Sequence, residues 1–385
     1  MNRRGVALVL VLLAILVTAA LAAGVLVAVS TQARASGDAL LALRTTEAAE
    51  RGQVATAAAW RRDSNLTMPV GATAGPFVTR YPDSTSSVAF VTRLSRTTFW
   101  ISARGRAPAT GVTLPVESRV GMLYVLHIPE PRLAATVSVR DSLSITGAAR
   151  VDGNDSPPPT WGSLCAAPSA TIAAVAAPDT ARVCDGPCGT VGSRLTGAPA
   201  KQPDSLAGSP ASLNQLGAVT WTSLAAHAAY VFPTPLVVTP GPRLTSGPGA
   251  AQCDTTAADN WGDPTRATLC ANRFVIVHAL DDLVIDGGAG QGVILGEGDV
   301  ELRNGAQFFG LILARDDVVA SIGTNRVWGA VVAGDVRRST GTGPGDPTAV
   351  GGDTQIVYSS CALEHAFLGT APLRREPKRS WTRLY

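Results

Sequence analysis

Residues 274–336 read FVIVHALDDLVIDGGAGQGVILGEGDVELRNGAQFFGLILARDDVVASIGTNRVWGAVVAGDV, and this stretch decides the fold. Its short apolar runs begin at Phe274, Gly292, Gly310 and Gly329, and each is followed by an aspartate and further apolar residues. The three glycines are spaced 18 and 19 residues apart. A regular unit of short apolar strands and Gly/Asp turns predicts a β-solenoid of the right-handed β-helix type, in which each unit is one coil.

The same template fits residues 137–147, so we assign residues 133–153 and 273–360 to the solenoid. Residues 154–272 then form an insertion that leaves the solenoid between two coils. This segment holds 15 of the 26 prolines and five of the six cysteines. We therefore expect a loop-rich insertion stabilised by disulfides, because cross-links restrict the unfolded chain.

The N-terminus predicts a membrane-spanning helix. Residues 6–29 form a run of 24 without a charge, which as a helix spans about 36 Å and exceeds the ~30 Å hydrocarbon core of a bilayer. Arg3 and Arg4 precede the run, so the positive-inside rule keeps them cytoplasmic and places the body on the outer side. The run is also too long for the apolar core of a cleaved secretory signal.

The rest of the N-terminal region predicts a longer helix and a small sheet. Residues 30–62 are rich in Ala, Leu, Glu and Arg and contain no proline, so the helix is expected to extend over 6–62. Residues 66–132 contain runs rich in β-branched and aromatic side chains, which predict a small antiparallel β region. Residues 361–385 form a basic tail. The expected fold is mainly β with one long N-terminal α-helix.

Two stretches of the N-terminal helix resemble a known family. Residues 4–9 (RGVALV) are similar to the processing site of class III prepilin signals, and residues 45–52 (TTEAAERG) resemble the PilX-type N-terminal domain. The resemblance implies that prepilin peptidase removes the leader, residues 1–5, by cutting after Gly5, and that Val6 becomes a methylated N-terminus. The helix would leave the inner membrane and pack against other pilin or pseudopilin subunits, with the small sheet completing a pilin-like domain.

One position departs from the family pattern. Major pilins carry Glu at the fifth mature position, where this chain has Leu10. The resemblance therefore implies a minor pilin or tip pseudopilin of a type IV pilus or a type II secretion-type assembly. A plain signal anchor without a filament role is the alternative for this helix.

Four aspartates recur in the repeat, and they are Asp282, Asp299, Asp317 and Asp335. Stacked carboxylates could bind Ca²⁺ or act as acid and base on a polysaccharide. The simpler interpretation is that each aspartate caps its own turn through the backbone. Because the Gly-Gly-x-Gly-x-Asp pattern of calcium-binding coils is missing, these residues are weak calcium candidates, and no metal or cofactor is predicted.

The six cysteines are Cys165, Cys184, Cys188, Cys253, Cys270 and Cys361. An even number in an exported chain predicts disulfides, and six cysteines leave 15 pairings open. The spacing of Cys184 and Cys188 fits neither a Cys-x-x-Cys redox motif nor a zinc site built from two close pairs.

Charge and motifs limit the function classes. A formal net charge of +3 gives no indication of a nucleic-acid partner. No Gly-x-Ser-x-Gly nucleophile motif, phosphate-binding loop or dinucleotide fingerprint occurs, so the protein is predicted not to be an enzyme. The leading hypothesis is a minor pilin-like or pseudopilin-like component that displays a β-solenoid outside the membrane. The alternatives are a membrane-anchored carbohydrate-binding adhesin and a polysaccharide-active β-helix enzyme.

Overall fold

The computed structural model describes residues 3–60, 62–108, 116–165, 168, 171–186, 188–189, 192–246, 251–320, 322–334, 348–368, 371–376 and 381–384. The chain divides into two compact units. Unit 1 comprises Met1–Trp60, Met68–Val125 and Leu373–Tyr385, and unit 2 comprises Arg61–Thr67 and Leu126–Pro372. Most of unit 2 is therefore inserted between two segments of unit 1.

The helices of the described residues are α1 (Arg3–Ala58), α2 (Arg62–Thr67), α3 (Pro210–Asn214), α4 (Trp221–Ala226) and α5 (Ser360–Phe367), with one 3-10 turn at Thr180–Arg182. The strands are β1 (Thr73–Arg80), β2 (Ser86–Arg93), β3 (Thr98–Arg106), β4 (Glu117–Leu126), β5 (Ala135–Val139), β6 (Leu143–Ile145), β7 (Arg150–Asp152), β8 (Ala173–Ala177), β9 (Val183–Asp185), β10 (Leu195–Thr196), β11 (Lys201–Pro203), β12 (Gln215–Leu216), β13 (Val219–Thr220), β14 (Tyr230–Phe232), β15 (Leu236–Val238), β16 (Val275–Ala279), β17 (Leu283–Asp286), β18 (Ala289–Gly296), β19 (Val300–Arg303), β20 (Gln307–Ala314), β21 (Val318–Ala320), β22 (Arg326–Ala333), β23 (Thr348–Val350), β24 (Gln355–Tyr358), β25 (Leu373–Arg375) and β26 (Trp381–Leu384).

In unit 1, α1 packs on an antiparallel sheet of order β1-β2-β3-β4-β25, and β26 also pairs with β4. The described residues of α1 that are buried in unit 1 are Thr45, Ala48, Ala49, Gly52 and Gln53. Gln53 Nε2 donates to the carbonyl oxygen of Ile101 at 3.0 Å. A Cβ at Gly105 would overlap the carbonyl oxygen of Thr45, so this glycine allows the helix and the sheet to approach closely.

Unit 1 differs from the sequence prediction at two places. The helix ends at Ala58, four residues before the expected end at 62. Beyond it, the ring of Trp60 packs edge-on against Phe99 with 4.8 Å between centroids. The predicted basic tail, residues 361–385, is divided between the units: β25 and β26 join the sheet of unit 1, whereas residues 361–367 belong to helix α5 of unit 2.

Unit 2 is built mainly from two parallel sheets. One has seven strands in the order β15-β17-β19-β21-β23-β6-β9. The other has eleven strands along the path β10-β7-β24-β22-β20-β18-β16-β14, with β5, β8 and β11 attached. From β14 to β24 the chain alternates between the two sheets. Gly292, Gly310 and Gly329 consequently occupy one register across β18, β20 and β22.

The apolar core lies between the two sheets and contains residues of both, such as Leu283 and Ile294. The other face of the eleven-stranded sheet is covered as well. There Leu295 belongs to a second buried cluster with Trp221 of α4 and Phe367 of α5. Because both faces of this sheet are buried, its strands are continuous aliphatic runs and do not alternate between apolar and polar residues.

Spatial order and chain order differ in unit 2. Strands β5 to β7 lie between β22–β24 on one side and β8–β10 on the other. After β11, residues 204–229 (the crossing segment) lead to the far end of the sheets, where β14 and β15 follow. The later strands return until β22 pairs with β5 and β23 pairs with β6. We call this junction the seam.

Residues 154–272 differ from the predicted loop insertion. They contribute β8 to β11, β14 and β15 to the two parallel sheets. Strand β8 is the fully buried run AAVAA, and the others are only two or three residues long, so none shows a clear strand pattern. On the side away from β19, β21 pairs with β23. Asp335 and Val336, where the repeat predicts the next strand, lie outside the described residues.

Candidate functional site

From Leu10 to Val29, α1 presents an exposed and almost entirely apolar surface. The helix is long and apolar enough to cross a membrane, and its apolar part is not buried against the rest of the described chain. Leu16 and Leu26 are 70% and 73% exposed. Single exposed apolar residues are ordinary, but a continuous surface of this size is typical of contact with lipid or with other apolar helices. This helix is a candidate membrane anchor.

The residues of the expected processing site lie at the start of this helix. Gly5 and Val6 belong to the helical backbone that begins at Arg3. Side-chain positions are described from Leu10 onward. Cleavage after Gly5 therefore stays a prediction from the sequence.

The residue types of the stretch 45–52 fit its position in the second half of α1, where one side of the helix packs on the sheet. Ala48 and Ala49 are buried where the helix meets the sheet, and small side chains allow close contact there. Thr45 Oγ1 lies 2.8 Å from Ser118 Oγ, which joins the helix to β4. Glu47 and Arg51 lie on the exposed side and form an ion pair.

Three of the four repeated aspartates form a ladder between successive turns. Asp282 Oδ1 accepts a hydrogen bond from the Asp299 backbone N–H at 3.0 Å, and Asp299 Oδ1 accepts one from the Asp317 N–H at 3.0 Å. Thr348 Oγ1 donates to Asp317 Oδ1 at 2.9 Å. Asp282 and Asp299 therefore each cap the turn of the next strand pair along the stack, whereas the sequence interpretation placed the cap on the aspartate's own turn. Asp335 lies outside the described residues.

The hydrogen bonds of this ladder involve two of the aspartates that are weak calcium candidates from the sequence and that lie closest together. Carboxylate oxygens of Asp299, Asp316 and Asp317 lie within 4.8 Å of one another. In Asp299 and Asp317, however, one oxygen already accepts a hydrogen bond from the adjacent turn. A cation would compete with these hydrogen bonds, so the arrangement supports a structural role for the aspartates better than a binding role.

The six cysteines form three disulfides within unit 2: Cys165–Cys361, Cys184–Cys188 and Cys253–Cys270. The first attaches α5 to a loop 196 residues away in sequence. The second closes a short hairpin at β9, the last strand of the seven-stranded sheet. The third closes the loop that carries the buried Trp261 into the core.

Comparison with solved structures finds similarity to a pilin. The chain is similar to the competence-associated pilin ComZ from Thermus thermophilus, with 12% sequence identity, a TM-score of 0.24, and coverage of 90% of this chain and 96% of ComZ. No protein-family model and no curated protein matches the chain. A TM-score of 0.24 is below the level that shows a shared fold, so the role of ComZ is not transferred to this protein.

The sequence did not indicate a buried polar cluster in unit 2. Asp263 is 2% exposed and accepts hydrogen bonds from the backbone N–H groups of Thr265 at 3.0 Å and Thr268 at 2.6 Å. Burial raises the pKa of Asp263, but hydrogen bonds from the side chains of Thr265 and Thr268, together with those from their backbone N–H groups, outweigh it, so the pKa lies below its ordinary value. The Asp-Pro-Thr sequence at 263–265 is a turn signal, which could have predicted the local bonds but not the burial.

Proposed function

We propose that the protein is a minor pilin-like or pseudopilin-like component of a type IV pilus or a type II secretion-type assembly. The observation that carries this proposal is α1, a continuous helix of 56 residues. From Leu10 to Val29 it exposes apolar side chains, whereas its second half is fixed on an antiparallel sheet. Such a helix can be held in lipid before assembly and among neighbouring helices afterwards, because both surroundings bury the same apolar surface.

We further propose that unit 2 is a β-solenoid that this helix displays outside the inner membrane. The support is the parallel register of β16, β18, β20 and β22, in which each strand follows the previous one after a repeat of 17–19 residues. Arg3 and Arg4 before the apolar run support a cytoplasmic N-terminus. Three disulfides favour an oxidising compartment for unit 2.

The processing step provides the test. In cells that contain prepilin peptidase, the mature chain should begin at Val6, and in cells without the enzyme it should retain Met1. Gly5→Val should block the cleavage, whereas Gly24→Ala should not, because no neighbouring atom lies within 4 Å of a Cβ at Gly24. Intact mass and N-terminal sequencing of membrane fractions provide the measurement. A chain that retains Met1 in both strains would show that α1 is a plain signal anchor and would contradict the proposal.

The polysaccharide-active alternative has no specific support. Asp282 and Asp299, which an enzyme would need as free carboxylates, accept backbone hydrogen bonds from the next turn. The carbohydrate-binding adhesin stays a prediction from the sequence, as does the absence of enzymatic activity.

A further inference from the structure

The face of the unit 1 sheet opposite α1 is rich in arginine. Residues of β3 and β4 alternate between two faces of the sheet. One face is buried against the helix and includes Gly105 and Ser118, and the other face points outward. The outward residues at one end of the sheet are Arg104, Arg106, Glu117 and Arg119, and Arg80 lies in the same cross-strand row through Ser86 and Arg106. We call these five residues, four arginines and one glutamate, the arginine face.

The Glu117 carboxylate lies close to three of the guanidinium groups. Arg106 Nε lies 2.9 Å from Glu117 Oε2, Arg119 Nε lies 3.0 Å from Oε1, and Arg104 Nε lies 3.8 Å from Oε1. Burial raises the pKa of Glu117, but the hydrogen bonds from Arg106 and Arg119 outweigh it and lower the pKa. Glu117 is therefore ionised at neutral pH, and the face retains a net charge of +3.

The excess charge includes a pair that is unfavourable for folding. Arg104 and Arg119 are directly opposite each other in the antiparallel register. Like charges at such positions destabilise a sheet, and Glu117 offsets only part of the repulsion. The side chains of Arg104, Arg106 and Arg119 are 43%, 57% and 45% exposed, so a ligand in solution can reach them.

We propose that the arginine face binds an extended polyanion through its phosphate groups. A guanidinium presents several N–H donors in one plane, which fits phosphate oxygens with two parallel hydrogen bonds. Two opposed arginines, Arg104 and Arg119, can converge on one tetrahedral phosphate, which offers more acceptor positions than a carboxylate. Arg80 lies two strands from Arg106, about 10 Å away, where a second group of the same chain can bind.

The test uses the full-length protein in detergent and short-chain inorganic polyphosphate as the probe. Affinity is measured by titration calorimetry between about 50 and 200 mM salt, because the salt dependence counts the phosphate contacts. The variant is Arg104→Gln/Arg119→Gln. The matched control is Arg140→Gln/Arg150→Gln, which removes two arginines from unit 2 and changes the net charge equally.

The expected result is a loss of about tenfold or more in polyphosphate affinity for the Arg104/Arg119 variant, with the salt slope reduced by about 0.7 for each lost contact. The control should bind as the unmodified protein does. The variant should keep about the stability of the unmodified protein, because the removal of a like-charge pair offsets the loss of the exposed contacts to Glu117.

Three outcomes would overturn the proposal. Equal affinity losses in the variant and the control would indicate binding by net charge alone. Equal binding of polyglutamate would remove the preference for phosphate. Binding of a single-stranded oligonucleotide far more tightly than of polyphosphate would indicate that bases are recognised, which is a different ligand class.

Discussion

A single glycine determines how closely two strands of unit 2 can stack. Gly310 has φ of +142°, and a Cβ at this position would overlap the carbonyl oxygen of Gly292 on the neighbouring strand. The same Cβ would also lie close to Ala366 of α5. The sequence spacing could therefore predict this residue, because only glycine fits a position that recurs at the same bend of each repeat.

Gly310→Ala is expected to destabilise unit 2 by about 2 kcal/mol or more, because it combines an unfavourable φ with a steric overlap on backbone atoms. The measurement is chemical unfolding followed by tryptophan fluorescence. Gly162→Ala is the matched control, because no atom lies within 4 Å of its Cβ. An equal effect at the two positions would contradict the stacking explanation.

The aspartate ladder leads to a prediction about side-chain chemistry. Asp299→Asn retains an acceptor for the Asp317 N–H and should cost little, whereas Asp299→Ala leaves that N–H unpaired and should cost about 1–3 kcal/mol. Both variants are compared by thermal unfolding with and without millimolar Ca²⁺. If Ca²⁺ raises the Tm of the unmodified protein but not of Asp299→Asn, the aspartates bind calcium and the structural interpretation is wrong.

The lowered pKa of Asp263 predicts that the folded protein loses stability at low pH. Its pKa is lowered in the folded protein, so the unfolded chain takes up the proton first. The stabilisation is complete above the unfolded pKa of about 3.9 and is lost as the pH falls through the lower folded value. Asp263→Asn should therefore be less stable at pH 7 and should show a flatter decline below about pH 4. Urea unfolding across this pH range provides the measurement, and parallel declines would exclude Asp263 as the source.

At the scale of elements, the sequence predicted the helices and strands whose residue pattern is long or regular. The apolar run predicted α1, and the repeated aliphatic runs predicted β16 to β22. It could not predict β8, because a short alanine-rich strand resembles a helix segment in composition. It could not predict β25 either, because the Arg-rich tail joins the sheet through backbone pairing, which leaves no apolar signal.

The disulfide between Cys361 of α5 and Cys165 leads to a prediction at the scale of elements. Cys165→Ser/Cys361→Ser should destabilise unit 2 by about 2–5 kcal/mol, because the disulfide closes a long loop of the unfolded chain. Cys253→Ser/Cys270→Ser, which opens a loop with a sequence separation of 17, should cost less. Thermal unfolding of both variants provides the comparison. A larger loss for the shorter loop would show that local packing outweighs chain entropy.

For the whole molecule, the main finding is that unit 2 is inserted between adjacent strands of unit 1. Strand β4 ends at Leu126, and its neighbour β25 begins at Leu373. The two ends of the insertion are close together, since the His127 N–H donates to the Pro372 carbonyl oxygen at 3.2 Å. The sequence could not predict this topology, because the pairing of β4 and β25 connects residues more than two hundred positions apart.

The insertion can be tested by deletion. Replacement of residues 127–372 with a short Asn-Gly linker should leave unit 1 folded, because a hairpin can join adjacent antiparallel strands. The product should retain its helix and sheet signals in circular dichroism. Additional deletion of residues 373–385 should destabilise it by removing β25 and β26. Unfolding of the first deletion product would show that unit 1 depends on unit 2.

The seam has a consequence for biosynthesis. Strands β5 and β6 leave the ribosome early, but the strands that cover their edges, β22 and β23, follow roughly 200 residues later, which at about 5–20 residues per second is a delay of about 10 to 40 s. During this interval the nascent chain exposes two open strand edges, which are templates for pairing with other chains. The early strands must therefore be kept apart from other chains until β22 and β23 have been synthesised.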